Sequence, residues 1–526
     1  MTAASPEVTV HGDGRHELTS QAESTIADSS LYNTDLAPVP LGGRTWTTYS
    51  YMALWIGMSI NIPSWTLAAG LIVLGMDWVQ AVLTIGLANV IVLIPMLLNS
   101  HAGTKYGIPF PVFARASFGV IGANLAALLR AFVACGWFGI QTWIGGGAIF
   151  LLLGAILGPE SWWVTAPTFA IGFGEAQPWT LWASFVVFWL LNLYIILKGM
   201  DTLRVFESWS APFLLAVALL LTIWMVIQAG GLGPIMAQGS DLGWGPDFWR
   251  LFFPSLMAMI AFWSTLSLNM PDFTRFGRSQ REQAVGQALG LPTTMTLFAL
   301  LAVITASATV VVYGGDPIFN PVDLVARFDN ALLVVIALFA VMLATLTTNV
   351  AANLVSPSYD FSNAWPKGIS FRTGGIITAI IGVLIQPWYL ISNAEVYIFT
   401  WLGFYGGALG AVAGVLIADY WLIRRTQLKL ADLYRSDGTF RYAGGWNWRG
   451  VVALLVGGLL AVGGAYTAQG VDGPFPVDGL IPLFQPLYDY SWVVGLVVAF
   501  VLYWAFSTFF PAERPEPAAA AAEPAT

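Results

Sequence analysis

Apolar runs of about twenty residues, each able to cross the roughly 30 Å hydrocarbon core of a bilayer as a helix, recur along nearly the whole 526-residue chain. Inside lipid every backbone N–H and C=O needs a partner, which confines such a chain to helices packed side by side. Reading the runs against turn signals predicts twelve spans, at about 49–76, 79–99, 119–157 (its end in loop), 179–198, 209–229, 249–274, 287–313, 330–356, 373–391, 394–423, 449–469 and 489–510. Composition agrees: 57% of the residues are hydrophobic and 10% charged, against about 25% charged in soluble domains. The expected fold is an all-α polytopic membrane protein.

Charge tests the span count. All but three of the 21 Lys and Arg fall in the two tails or in the loops after even-numbered spans. The exceptions are Arg250 and Arg327 on the opposite side and Arg130 within span 3. The opposite loops carry acids instead, among them Asp77, Glu160, Asp241 and Asp316. By the positive-inside rule both termini are cytoplasmic, in a plasma (inner) membrane. A wrong count would scramble the alternation.

Several function classes drop out. One cysteine, Cys135, rules out a disulfide framework. His11, His16 and His101 form no cluster, so a metal-dependent enzyme is not expected and no cofactor is called for. The net charge of −8 argues against nucleic acid as a partner. The polar N-terminus has no apolar core behind a basic start, so no cleavable signal is expected. The Pro/Ala-rich end from 511 reads as disordered.

Span 1 carries "WIGMSINIPSW" (55–65), with Asn61, Pro63 and Ser64 near mid-membrane. Pro63 cannot donate to Ser59, and Asn61 and Ser64 compete for backbone groups. The helix should unwind around Gly57–Ser64 and free carbonyls there. Such breaks hold a cation beside a substrate in some transporters; a bare proline kink is the other reading. In span 6, "AFWSTLS" (261–267) interrupts the apolar run and predicts a second break. "SLNMPDF" (267–273) echoes "SINIPSW" (59–65) but lies at a different depth, so the echo reads as coincidence.

Two constellations follow. Arg130, Ala134, Trp137 and Gln141 of span 3 share a helix face. An indole and an amide one turn apart suit a flat heterocycle with amide or imide edges, or else Trp137 packs and Gln141 pins a neighbour. Arg130 should pair with an acid rather than touch substrate. In span 8, Thr347 and Thr348 share a face with Ala344, and Asn349 and Asn353 stack four apart. Hydroxyl and carbonyl oxygens there suit sodium; polar packing between helices is the alternative.

With "IPFPVFARASFG" (108–119), "RAFVACGWFGIQ" (130–141), "NMPDFTRF" (269–276), "TTNVAANLVSPSYDF" (347–361) and "GVLIADYW" (414–421) in view, the chain resembles nucleobase–cation symport family 1. Its members carry hydantoins, allantoin, uracil, cytosine and purines. The resemblance implies a leucine-transporter-like core of two inverted five-helix repeats with helices 1 and 6 broken. It implies that Trp137 and Trp263 sandwich the substrate ring, and that Gln141 and Asn353 bond its edges, with Asn61 as a further contact. It also implies a sodium site from the carbonyls of Gly57, Ile60 and Ala344 with the hydroxyls of Thr347 and Thr348. The hydantoin permease pattern has Gln where this chain has Asn61, Ser at Thr347 and Ala at Gly57; the shorter Asn61 would leave room for a larger or differently edged ring than hydantoin.

The domain plan that results is a cytoplasmic tail (1–45), a transporter core (46–425), a cytoplasmic loop with peripheral spans 11 and 12 (426–510), and the C-terminal tail (511–526). The expected activity is cation-coupled import of a small heterocycle across the lipid bilayer; the sequence leaves the oligomeric state open, a monomer being plausible. A proton-coupled or facilitative carrier of a purine or vitamin-like heterocycle is the runner-up. A channel lacks its charged pore ring, and an enzyme lacks an acid, base or metal set at membrane depth.

Overall fold

Pro63 has no N–H to continue a helix ladder, and the first span breaks just before it. The structure, a computed structural model, describes residues 7–511 except 173–174, 199, 319, 326, 329, 391–401 and 468–474. Span 1 is two helices, Thr48–Ser59 and Ile62–Val73, set at 60° to each other across Ile60 and Asn61.

Eight further helices are long and apolar enough to cross a membrane: Trp78–Tyr106, Ala123–Leu157, Trp179–Lys198, Ser208–Gln228, Gln280–Tyr313, Ala331–Ala364, Leu402–Ile423 and Ser491–Phe509. With span 1 they account for nine of the twelve expected spans among the described residues. The other three are shorter or interrupted. Spans 9 and 11 are Phe371–Leu384 and Trp448–Val462. Span 6 runs from Pro246 to Phe262, pauses at Trp263 (φ −99°, ψ 6°) and resumes as Ser264–Asn269. The first residues expected of span 10, up to 401, and the C-terminal tail from 512 lie outside the described residues.

Spans 2 and 8 outrun the sequence reading for one physical reason, and span 3 differs separately. Hydropathy marks the part of a helix inside lipid, whereas polar turns beyond it stay helical. Span 2 therefore continues past 99 to Tyr106, and span 8 past 356 to Ala364, through a π-helical turn at Asn349–Leu354. Span 3 starts at Ala123 and is helical to Leu157 rather than ending in loop, stopped by Gly158 at φ +93°.

The chain is also not purely helical. Val8–Val10 pairs antiparallel with His16–Leu18, and Thr168–Phe169 with Gln177–Pro178. The first pair belongs to an N-terminal segment that packs under the bundle. Buried Arg44 donates to the carbonyls of Val39, Thr104 and His16. Asp35 accepts from Phe371 N–H, Arg275 donates to the carbonyls of Asp35 and Ala37, and Tyr434 Oη donates to Leu36. Gly107, at φ +72°, ends span 2 against this segment; a Cβ there would lie 2.6 Å from the Arg44 guanidinium.

Span 10 is a stripe of small residues. A Cβ on Gly410 would lie 2.5 Å from the Trp492 carbonyl and one on Gly414 2.2 Å from that of Leu496. Glycine lets spans 10 and 12 approach to backbone contact. Spans 11 and 12, expected at the periphery, keep an outer face that exposes Leu455, Leu459, Val497 and Val501.

Candidate functional site

The break in span 1 lies against span 8. The Gly57 carbonyl accepts from Thr348 Oγ1 at 3.0 Å and from Thr347 Oγ1 at 3.3 Å. Thr347 Oγ1 is also 2.9 Å from the Ala344 carbonyl, and Thr348 Oγ1 is 3.4 Å from that of Met58. Both threonines are buried. Four of the five expected cation donors, Gly57, Ala344, Thr347 and Thr348, thus meet in one cluster. The fifth, Ile60, sits at the kink itself (φ −88°, ψ 86°). The donor set is neutral oxygen throughout, the chemistry that suits a hard cation. No cluster of His, Cys, Asp or Glu able to hold a metal exists among the described residues.

Beside this cluster is a cavity of about 20 Å³ lined by Trp137, Gln141, Phe262, Trp263, Thr265, Leu266, Thr348, Ala352 and Asn353. Spans 3, 6 and 8 therefore bring together Trp137, Gln141, Trp263 and Asn353. Gln141 Oε1 and Trp263 Nε1 are buried with no hydrogen-bond partner. Leaving such atoms unpaired costs roughly 1–3 kcal/mol each, and an unpaired polar atom in a native site asks for an explanation. Asn353 Nδ2 donates to Asn349 Oδ1 at 3.1 Å, and Asn349 Nδ2 in turn to Thr142 Oγ1 and the Phe138 carbonyl. This chain ties the π-helical turn of span 8 to span 3.

Asn61, expected as a further substrate contact, does not line that cavity. Its side chain caps the second half of span 1: Oδ1 accepts from Ser64 N–H at 2.8 Å and Nδ2 donates to the Met58 carbonyl at 2.6 Å. With Ile60 and Ala344 it lines a separate cavity of about 80 Å³, otherwise walled by apolar residues of spans 1, 5, 7 and 8 and of the short helix Pro321–Val325.

Arg130 takes the acidic partner expected of it. Its Nη1 is 3.2 Å from Asp360 Oδ2, with both side chains fully buried, and its Nη2 donates to the Ala352 carbonyl. Two cavity features escaped the sequence reading. Phe262 stands edge-to-face with Trp137 (5.4 Å, 86°) and with Trp263 (4.9 Å, 83°). Tyr405 of span 10 accepts the Trp137 indole N–H at 3.0 Å. Phe262 directly precedes Trp263 and could have been flagged on that ground; Tyr405 gave no local signal.

The chain is similar to known permeases. The family of permeases for cytosine/purines, uracil, thiamine and allantoin matches residues 38–495. The purine-uracil permease NCS1 of Arabidopsis thaliana is 39% identical over 482 residues, covering 91% of this chain and 78% of that protein. The allantoin permease of Bacillus subtilis (strain 168) is 39% identical over 490 residues, covering 91% and 94%. Among solved structures, the nucleobase-cation-symport-1 family transporter Mhp1, closed with bromovinylhydantoin bound, superposes with a TM-score of 0.72 at 26% identity, covering 92% of this chain and 97% of that one. MhsT in complex with L-phenylalanine shares the fold at a TM-score of 0.53 and 17% identity. The chain belongs to the nucleobase–cation symport family 1 of permeases.

Proposed function

We propose that this permease imports a flat, amide-bearing heterocycle, a nucleobase or a related ureide of the allantoin, hydantoin, uracil or cytosine class, coupled to sodium by alternating access. The observation that carries the reading is the double placement of Thr348. Its hydroxyl binds the Gly57 carbonyl within the cation cluster, and the same residue lines the cavity of Trp137, Gln141, Trp263 and Asn353. Sodium held by Gly57, Ile60, Ala344, Thr347 and Thr348 would fix the break of span 1 against span 8. That would order one wall of the substrate cavity and raise its affinity, and the coupling must be reciprocal.

In this reading the chain has twelve spans, the first ten forming a core of two inverted repeats, with both termini cytoplasmic in the plasma (inner) membrane. Spans 1, 2, 6 and 7 rock against spans 3, 4, 8 and 9 about the site, with spans 5 and 10 as gates. The indoles of Trp137 and Trp263 take the ring faces, and Gln141 and Asn353 its edges. The proton-coupled reading has its own support in Asp272 and Asp360, two fully buried carboxylates at the cytoplasmic ends of spans 6 and 8.

Uptake of labelled allantoin and uracil into proteoliposomes, with sodium replaced by choline at fixed pH, tests the proposal. Saturable, concentrative uptake that requires sodium supports it. Saturable uptake indifferent to sodium moves the coupling to protons or removes it. Absence of saturable uptake of every family substrate sinks the transport reading of the cavity.

A further inference from the structure

In an unbroken α-helix the N–H of residue 61 bonds the carbonyl of residue 57, and that of residue 64 the carbonyl of residue 60. Both bonds would consume oxygens of the cation site. Neither forms here. Asn61 N–H donates to the Ser59 carbonyl at 3.2 Å, and Ser64 N–H donates to Asn61 Oδ1 at 2.8 Å. The Asn61 side chain anchors the turn from its other end through Nδ2 and the Met58 carbonyl at 2.6 Å. Of the other polar side chains in the break, the hydroxyls of Ser59 and Ser64 are buried with no partner. One side-chain amide therefore does the redirecting.

We propose that Asn61 is a positioning residue of the cation site: by capping the second half of span 1 it keeps the Gly57 and Ile60 carbonyls out of the helix ladder and available to sodium. The proposal rests on the sodium-coupled reading above. Pro63 alone does not suffice, because it removes only the donor due to Ser59. Without the Asn61 cap, Ser64 N–H is free to reclaim Ile60, and the break shortens toward helix. The residue acts through backbone carbonyls and touches neither ion nor substrate, so its loss should alter ion dependence ahead of substrate selectivity.

The test needs no substrate. The full chain is purified in detergent, and its thermal midpoint is followed against sodium chloride, with choline chloride holding ionic strength constant. The wild-type chain should gain a sodium-specific rise, and Thr348→Ala should weaken it. Asn61→Ala should need about tenfold more sodium for half of that rise, the size expected for one ligand to a charged group. Asn61→Ser, whose hydroxyl can still accept from Ser64 N–H, should stay within about threefold of wild type. Should the alanine variant not fold, Asn61→Gly removes the acceptor while remaining tolerable at a helix N-terminus, with the same outcome expected.

A wild-type sodium curve in Asn61→Ala or Asn61→Gly, while Thr348→Ala loses the effect, overturns the proposal and leaves the cation site standing. Equal losses in Asn61→Ala and Asn61→Ser overturn it too, since the cap acceptor would then not be the cause. No sodium-specific rise in the wild-type chain overturns the sodium-coupled reading itself.

Discussion

Thr348 Oγ1 donates to the carbonyl of Gly57 at 3.0 Å, across 291 residues of sequence and between two different spans. That single bond joins the broken first helix to the wall of the Trp137 cavity. In the sodium-coupled proposal, a ligand on either side of it would act on the other through the same side chain.

Thr348→Ala should raise the sodium concentration for half-maximal uptake by about tenfold, the cost of losing one oxygen from a charged ligand. Apparent substrate affinity should fall with it at low sodium and recover at saturating sodium. Uptake measured over a matrix of sodium and substrate concentrations checks this; an unchanged sodium dependence removes Thr348 from the ion site.

Trp137→Ala should abolish saturable uptake, with membrane insertion intact. Trp137→Phe keeps a ring face but loses the N–H that Tyr405 accepts, so it should retain transport at reduced affinity, and Tyr405→Phe should resemble it. Undiminished transport by Trp137→Ala would remove the stacking role.

Phe262 stands against both indoles in a cavity of about 20 Å³, close to the space of a single water. A heterocycle needs more room than this, and Phe262, in contact with both indoles, is a lining ring whose movement would supply it. Phe262→Ala should therefore improve competition by ring-substituted analogues relative to the unsubstituted base. Competition uptake reads the ratio, and equal changes for both would make Phe262 mere packing.

Arg130→Met leaves Asp360 buried without its partner, which typically costs about 3–5 kcal/mol. Loss of folded protein, or a large drop in thermal midpoint, is expected. Adding Asp360→Leu should restore much of it, because the pair is then replaced by apolar contact. Failure of the double variant to recover would point to a role for the charges beyond pairing.

His16, in the N-terminal segment beside Tyr106, is pushed down to about 4 by burial first and then by Lys105 and Arg44. Its ordinary value is 6.5, so between these values the unfolded chain binds a proton that the folded chain does not. Folding stability from this residue is thus complete above about 6.5 and is lost as pH falls toward 4. His16→Asn should flatten the fall in thermal midpoint over that window; an unchanged slope would show that His16 does not anchor the segment.

Much of this site was legible because it lies within single helices. Trp137 and Gln141 are one turn apart on span 3, and Thr347 and Thr348 share a face with Ala344, so periodicity alone put each group together. Asn61 was legible as a break but not as a cap. Its depth follows from the apolar run around it, whereas the direction of its amide depends on where Ser64 and Met58 lie after the helix kinks by 60°. Phe262 reaches the cavity from span 6 and Tyr405 bonds Trp137 from span 10, and no local spacing links either to Trp137. The N-terminal segment read as a polar tail because its partners lie far away in the chain with no sequence signature: Arg44 donates to the Thr104 carbonyl, and the Asp35 and Ala37 carbonyls accept from Arg275.

The sequence by itself determined a membrane-spanning helical chain, the place where span 1 must break and the residue types gathered there, since hydropathy, proline geometry and helical period are local properties. Only the tertiary structure decided that Thr348 both bonds the Gly57 carbonyl and lines the Trp137 cavity, that the Asn61 amide bonds Met58 and Ser64, and that Arg130 finds Asp360. Those outcomes depend on which helix packs against which, and packing is settled by contacts between residues far apart in the chain.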